Sequence, residues 1–189
     1  MSLWSPDGWQ RAWRFAAEAH HGQRFPGTEL PYIVHVSTVA AEVSHAIAAR
    51  AAGGDPVANP DLAIQCALLH DVVEDTSIDA ARIAAEFGTE VAAGVSALSK
   101  NPEVGDKPAQ MQDSLARIRA LSPEVWMVKL GDRITNLQAP PHYWKLDKIR
   151  RYREEAREIH RQLGTACSVL GPRLEAKIQA YAAYAEPSS

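Results

Sequence analysis

One imidazole and three carboxylates fall within six consecutive residues, His70-Asp71-Val72-Val73-Glu74-Asp75, directly after the apolar run Ala67-Leu68-Leu69. A carboxylate taken out of water costs several kcal/mol unless a counter-charge or hydrogen bonds compensate it. A cluster of this kind at the end of a buried segment asks for a partner. A divalent cation is the simplest one, because imidazole and carboxylate are both good ligands of first-row metals. On a helix Glu74 is i+4 from His70 and i+3 from Asp71, and Asp75 is i+4 from Asp71, so these side chains share a surface. His70 and Asp71 diverge by about 100° around the axis, and both reach one ion only if it lies over the ridge between them.

Two protein ligands rarely hold an ion, so further donors must come from elsewhere in the chain. His35, in Pro31-Tyr32-Ile33-Val34-His35, is one candidate. Asp132, in Val128-Lys129-Leu130-Gly131-Asp132-Arg133, is the other, with Asn136 one helical turn later on the same face. Two histidines and two aspartates form a mixed nitrogen and oxygen set with room for water. That set suits Mn²⁺ or Fe²⁺, and less well Zn²⁺, whose structural sites are usually closed tetrahedra with thiolates. Singly, His35 reads as a packing histidine, Asp132-Arg133 as a surface ion pair and Asn136 as a cap. Together, with the motif on the most apolar helix of the chain, they read as a metal site.

Helices must position these groups. The sequence holds 32 alanines, the best helix former, and lacks alternating β-branched runs joined by Asn-Gly turns. Trp9, Trp13, Ala16, Ala17 and His20 recur at helical spacing after Pro6-Asp7, and Gly22 ends that helix. A loop from Gln23 to Leu30 follows, and Pro31 opens a second helix that runs to Gly53-Gly54. The third, from about Asp61 to Val73, is apolar nearly all round and is expected at the centre of the fold. Short helices reach Phe87 and span Glu90 to Leu98, and the segment from Ser99 reads as a loop carrying Lys100 and Lys107. Ser122-Pro123-Glu124 caps a helix to Leu137, stopped by Pro140-Pro141. A charged helix covers Tyr143 to Leu163, and Pro172 opens the last one, to about Ala185.

Composition narrows the function classes. At 189 residues the chain fits one domain of ordinary size. The 20 Lys and Arg against 23 Asp and Glu leave a formal charge of −3, so no broad basic field exists to release counterions from duplex nucleic acid. No apolar run approaches the roughly 20 residues that span a bilayer. Met1-Ser2-Leu3-Trp4-Ser5-Pro6-Asp7 shows neither a basic nor an apolar leader region. Cys66 and Cys167 lack CxxC spacing and read as reduced thiols, which makes the cytoplasm the expected location.

With these residues in place, the sequence resembles the HD-domain metal-dependent phosphohydrolases, specifically the hydrolase part of the RelA/SpoT alarmone enzymes and their small stand-alone relatives. The matching stretches run in order: Ala19-His20-His21-Gly22-Gln23, Pro31 to His35, Ala67 to Thr76, Phe87-Gly88 with Val91, Leu98-Ser99-Lys100, and Val128 to Leu137. They cover about Phe15 to Gly164. HDxxED followed at this distance by KLxDRxxNL is a specific combination.

The resemblance implies an all-α, single-domain helical bundle of the HD type over residues 1–189, holding Mn²⁺ through His35, His70, Asp71 and Asp132, with Fe²⁺ or Zn²⁺ as alternatives. It implies that Glu74 and Asp75 handle the proton and the attacking water, and that Asn136 takes part in catalysis and places the substrate. The implied reaction is removal of the 3′-pyrophosphate from (p)ppGpp by attack of a metal-bound water. The family's synthetase and regulatory domains have no room in this chain.

One departure bears on the substrate. The family usually carries an Arg-Lys pair two and three residues after the glutamine matching Gln23, and here those positions are Phe25 and Pro26. Arg24 is the only cation beside them, one place out of register. Arg24, Lys100 and Asn136 are therefore the expected substrate-binding residues, with Lys107 as a further source of phosphate contacts and an ordinary solvated loop as the plainer reading of both lysines. Alternatives to the alarmone reaction are a phosphatase acting on another nucleotide, such as the 2′-phosphate of NADPH or a nucleoside monophosphate, and a non-catalytic nucleotide-sensing module. The expected partner in each case is a small-molecule nucleotide, neither nucleic acid nor membrane. The charged helix reads as a solvated face, with a homodimer contact as the alternative.

Overall fold

Proline opens four helices of the fold, and side-chain caps start two of the three that come first. In the computed structural model, which describes residues 3–186, Met1 and Ser2 of the N-terminal stretch lie outside the described residues. Helix α1 (Pro6–Ala19) is capped by Ser5, whose hydroxyl accepts from Gly8 N at 3.0 Å. Helix α3 (Pro60–Leu69) is capped by Asn59 through Leu62 N at 3.1 Å. Each cap satisfies one of the donors a helix leaves open at its start. Between them lies α2 (Ile33–Ala52). The chain continues through α4 (Val72–Asp75), α5 (Ala80–Phe87) and α6 (Thr89–Leu98), then α7 (Lys107–Arg119) and α8 (Pro123–Asn136). It ends with α9 (Leu146–Leu163), a 3₁₀ turn (Gly164–Ala166), α10 (Leu170–Ala180) and α11 (Ala182–Ala185). No strand occurs among the described residues, where one isolated bridge pairs Arg24 with Pro31.

Helix α3 is the centre. Leu62, Ala63, Ile64, Cys66, Ala67, Leu68 and Leu69 are all buried, and each large apolar side chain so buried contributes about 1.5–3 kcal/mol. α1, α2, α6 and α8 pack around it. Two polar ties hold the central helix at its start: Ser5 N donates to Asp61 Oδ1 at 2.7 Å, and Asn59 N donates to Glu124 Oε1 at 3.0 Å. Gly94 of α6 lets that helix come close, because a Cβ there would lie 2.6 Å from Cys66 Sγ. Gly94→Ala is expected to destabilise the fold by about 1–3 kcal/mol through overpacking. Thermal denaturation should show a lowered midpoint, partly restored when Cys66→Ala is added.

The element boundaries differ from the sequence reading in places that matter for the site. The third helix does not run on to Val73 but stops at Leu69, turns through His70 and Asp71, and resumes as α4. The Ala67 carbonyl accepts from His70 Nδ1 at 2.9 Å, a side-chain bond that competes with the backbone ladder at that point. The i+4 link survives the turn, since Asp75 N donates to Asp71 O at 2.9 Å. The second helix starts at Ile33, not Pro31, because Tyr32 N is drawn to Gln23 O at 3.0 Å in the Arg24–Pro31 bridge.

Lys107 is not on a loop. It opens α7, capped by Asp106 through Ala109 N at 3.0 Å. The charged helix begins at Leu146 because Trp144 N closes a turn on Pro141 O at 2.9 Å. The last helical segment starts at Leu170 and is broken at Tyr181.

Candidate metal centre and cleft

Three packed elements bring the candidate ligands together. His70 and Asp71 occupy the turn after α3, His35 sits in the first turn of α2, and Asp132 lies on α8. Asp71 Oδ2 is 3.0 Å from His70 Nε2 and 3.4 Å from His35 Nε2. Asp132 Oδ1 lies 3.6 Å from His35 Nε2 and 3.8 Å from His70 Nε2. His35, His70 and Asp71 each offer a donor atom within 4.8 Å of the others. Asp132 approaches both imidazoles but lies outside that mutually close set of three.

The surrounding groups fix how each donor is presented. With Nδ1 bound to the Ala67 carbonyl, His70 keeps Nε2 for the centre, and that buried atom has no aligned hydrogen-bond partner. The Tyr32 hydroxyl donates to Asp71 Oδ2 at 2.6 Å. Asp132 is held at both oxygens: Asn136 Nδ2 donates to Oδ1 at 2.5 Å, and Lys129 Nζ lies 3.2 Å from Oδ2. His35 Nδ1 has no partner, and its ring is stacked on Phe25 at 5.2 Å between centroids and an interplanar angle of 8°.

Electrostatics follow from this crowding. Burial alone would push His35 down, but hydrogen bonds with Asp132 and Asp71 outweigh it and raise its pKa to about 9. Burial likewise disfavours the charged form of Asp132, yet the Lys129 ammonium and the imidazoles hold it well below the usual carboxylate range. Burial and the neighbouring Asp71 push Tyr32 up. Two imidazole nitrogens and the Asp71 carboxylate in one close set, with Asp132 beside the imidazoles and one nitrogen buried without an aligned partner, fit a divalent first-row cation by donor chemistry.

The centre opens into a cleft of about 520 Å³. Its lining includes His35, Asp71 and Asp132, then Glu74, Asp75 and Asn136, and at the rim Phe25, Pro26, Lys100 and Lys107. Glu74 is gripped by Lys100, whose backbone N–H reaches Oε2 and whose ammonium reaches Oε1, both at 2.8 Å. Asp75 Oδ2 accepts from Gln23 Nε2 at 3.2 Å. Arg24 is not brought to the cleft. Its guanidinium lies against Glu29, 3.6 Å from Oε2, and the side chain is 61% exposed. The Phe25 N to Leu30 O bond of the bridge places Phe25 and Pro26 at the rim instead.

Several groups of the site were not singled out by residue type. Tyr32 stands three residues before His35, and Lys129 three before Asp132; a polar side chain one turn from a candidate ligand is the signal that finds both. Arg133 is no surface ion pair. It is 7% exposed, its guanidinium lies 4.1 Å from the Tyr152 ring centroid, and it is 3.5 Å from Glu155.

A family profile described as HD domain matches residues 12–169. The chain is 31% identical over 169 residues to the guanosine-3′,5′-bis(diphosphate) 3′-pyrophosphohydrolase MESH1 of Xenopus tropicalis, covering 85% of this chain and 87% of that protein. It is 30% identical over 158 residues to the guanosine-3′,5′-bis(diphosphate) 3′-pyrophosphohydrolase of Aquifex aeolicus, covering 82% of this chain and 20% of that longer protein. A solved metazoan ortholog of SpoT shares the fold, with a TM-score of 0.77 at 22% identity over 93% of this chain and 96% of its own.

Proposed function

The chain belongs to the HD domain family, and from that premise we propose that it is a metal-dependent pyrophosphohydrolase that removes the 3′-pyrophosphate from (p)ppGpp in the cytoplasm, with residues 1–189 acting as one domain. One observation carries the reading: the candidate ligands His35, Asp71 and Asp132 line a cleft together with Glu74 and Asp75, and His70 lies 3.0 Å behind Asp71. Among the described residues no helix is long and apolar enough to cross a membrane.

His35, His70, Asp71 and Asp132 would hold the cation, Mn²⁺ first and Fe²⁺ or Zn²⁺ as alternatives. Such an ion polarises a phosphoryl oxygen and makes water a stronger nucleophile near neutral pH. Tyr32, Lys129 and Asn136 orient the carboxylates by the bonds described above. Glu74 and Asp75 supply the acid–base groups, which contribute typically 10²–10⁴-fold. Lys100 and Lys107 bring positive charge to the rim, where a pyrophosphate group needs it.

Product analysis on a nucleotide panel with Mn²⁺ tests the reading. GDP and pyrophosphate from ppGpp are expected. Orthophosphate from NADPH or from a nucleoside monophosphate, with ppGpp left intact, would replace the substrate. A nucleotide that binds without being turned over would make the chain a sensing module.

Removing the metal should also cost stability, because an ion that binds only the folded chain stabilises it by about 2.7 kcal/mol at a hundred times its dissociation constant. A chelator is expected to lower the thermal midpoint by roughly 5–10 °C relative to that condition. Phe25→Ala should weaken metal binding about tenfold, since the loss of an orienting neighbour typically costs ten- to a hundredfold. Competition with a metallochromic chelator measures it, and Phe25→Tyr should retain the affinity.

A further inference from the structure

We infer that His20 and Gln23 are positioning residues for the reaction proposed above, and that the carboxylate they present, Asp75 rather than Glu74, is the one that handles the proton. The inference rests on the hydrolase reading but not on which nucleotide is cleaved. The two acids are adjacent in sequence and differ in how they are held. Both oxygens of Glu74 are engaged by Lys100, one by its backbone N–H and one by its ammonium. Each oxygen of Glu74 already accepts one bond from Lys100, so a water would have to share it with that residue. The role of Glu74 is to hold Lys100 at the mouth of the cleft.

Asp75 is held differently. Gln23 Nε2 donates to Oδ2 at 3.2 Å, and the Gln23 carbonyl Oε1 is in turn 2.7 Å from His20 Nδ1. The chain of donors has one direction. An amide that points its NH₂ at Asp75 must present its oxygen to His20, so His20 must carry its proton on Nδ1. Its Nε2 is then left buried with no partner, on a ring that is 3% exposed. The ring is fixed by packing against Tyr32, 4.7 Å away between centroids, and Tyr32 donates to Asp71. His20 and Gln23 lie outside the candidate ligand set. They tie the end of α1 and the loop after it to one oxygen of Asp75, a carboxylate that Tyr32 also approaches and that lines the cleft.

Two measurements test the inference. Nitrogen-15 NMR of the full chain should find His20 as the Nδ1–H tautomer, with its signals shifted by Gln23→Leu. Steady-state kinetics of the Mn²⁺-loaded protein, on whichever nucleotide of the panel the wild type cleaves, should show Gln23→Leu lowering kcat tenfold or more. KM should move less than threefold and the thermal midpoint should hold. His20→Asn, which keeps a donor for Gln23, should retain more activity than His20→Phe. Asp75→Asn should cost more than Glu74→Gln, and Gln23→Leu should cost little further in the Asp75→Asn background. An Nε2–H tautomer, a Gln23→Leu effect confined to KM, or a Glu74→Gln loss as large as that of Asp75→Asn would overturn the inference. A wild type that spares ppGpp but cleaves another nucleotide sinks the alarmone reading and leaves this one standing, whereas no turnover at all overturns both.

Discussion

Asp71→Ala is expected to lower turnover on the order of a thousandfold, with metal affinity falling in parallel and the fold retained. The carboxylate stands 3.0 Å and 3.4 Å from the two imidazoles that face the centre, and it accepts from the Tyr32 hydroxyl. Its removal takes away one of two negative charges and one donor, which lowers the affinity of the remaining groups for a divalent cation. Lewis-acid stabilisation of a developing charge is worth several kcal/mol, and each 1.36 kcal/mol is about tenfold in rate. Some stability loss should accompany it, because the buried imidazoles of His35 and His70 and the Tyr32 hydroxyl lose their carboxylate partner. Equilibrium dialysis against Mn²⁺ and single-turnover kinetics check the two halves; full activity with unchanged metal content would remove Asp71 from the ligand set.

Asp132→Asn should behave otherwise, because its partner is a buried lysine. Lys129 and Asp132 lie 3.2 Å apart with each side chain only 11% exposed. Taking one charge from a buried pair strands the other, at about 3–5 kcal/mol. For a chain of this size that is a fall of roughly 6–20 °C in the thermal midpoint. Turnover should drop at least a hundredfold, since an amide is a poor metal ligand and the Asn136 donor loses its anionic acceptor. Adding Lys129→Met should recover most of the stability and none of the activity. If that double variant stays as unstable as Asp132→Asn, the ion pair is not the source of the loss.

Much of this arrangement is legible in the residues, and the unreadable parts have physical reasons. The run from Leu62 to Leu69, rich in alanine and leucine and interrupted only by Gln65, reads as a buried helix, and acids placed at its end are conspicuous. Periodicity does not reveal that the helix turns at His70, because the competing bond runs from a side chain to a carbonyl three residues back. Helix α7 escapes because its residues are mostly polar, and its cap, Asp106-Lys107-Pro108, resembles a turn. Position in the chain makes Arg24 a neighbour of the substrate, yet a bridge of backbone bonds turns it outward to Glu29. The His20–Gln23–Asp75 chain joins residues 52 apart in sequence at its longer step, and only the packing of α1 against α3 brings them together.

The turn between α3 and α4 has one more consequence. On an unbroken helix His70 and Asp71 would point a quarter-turn or more apart, whereas here two consecutive side chains meet at 3.0 Å. As the proposed ligands they would form a chelating claw: with one donor on an ion, the other would stay at high effective concentration whatever the remaining helices do. Breathing of α2 or α8 then loosens only one ligand at a time from a pair that does not let go. Exchange of the ion with solvent should accordingly be slower than for four donors carried on four independent elements.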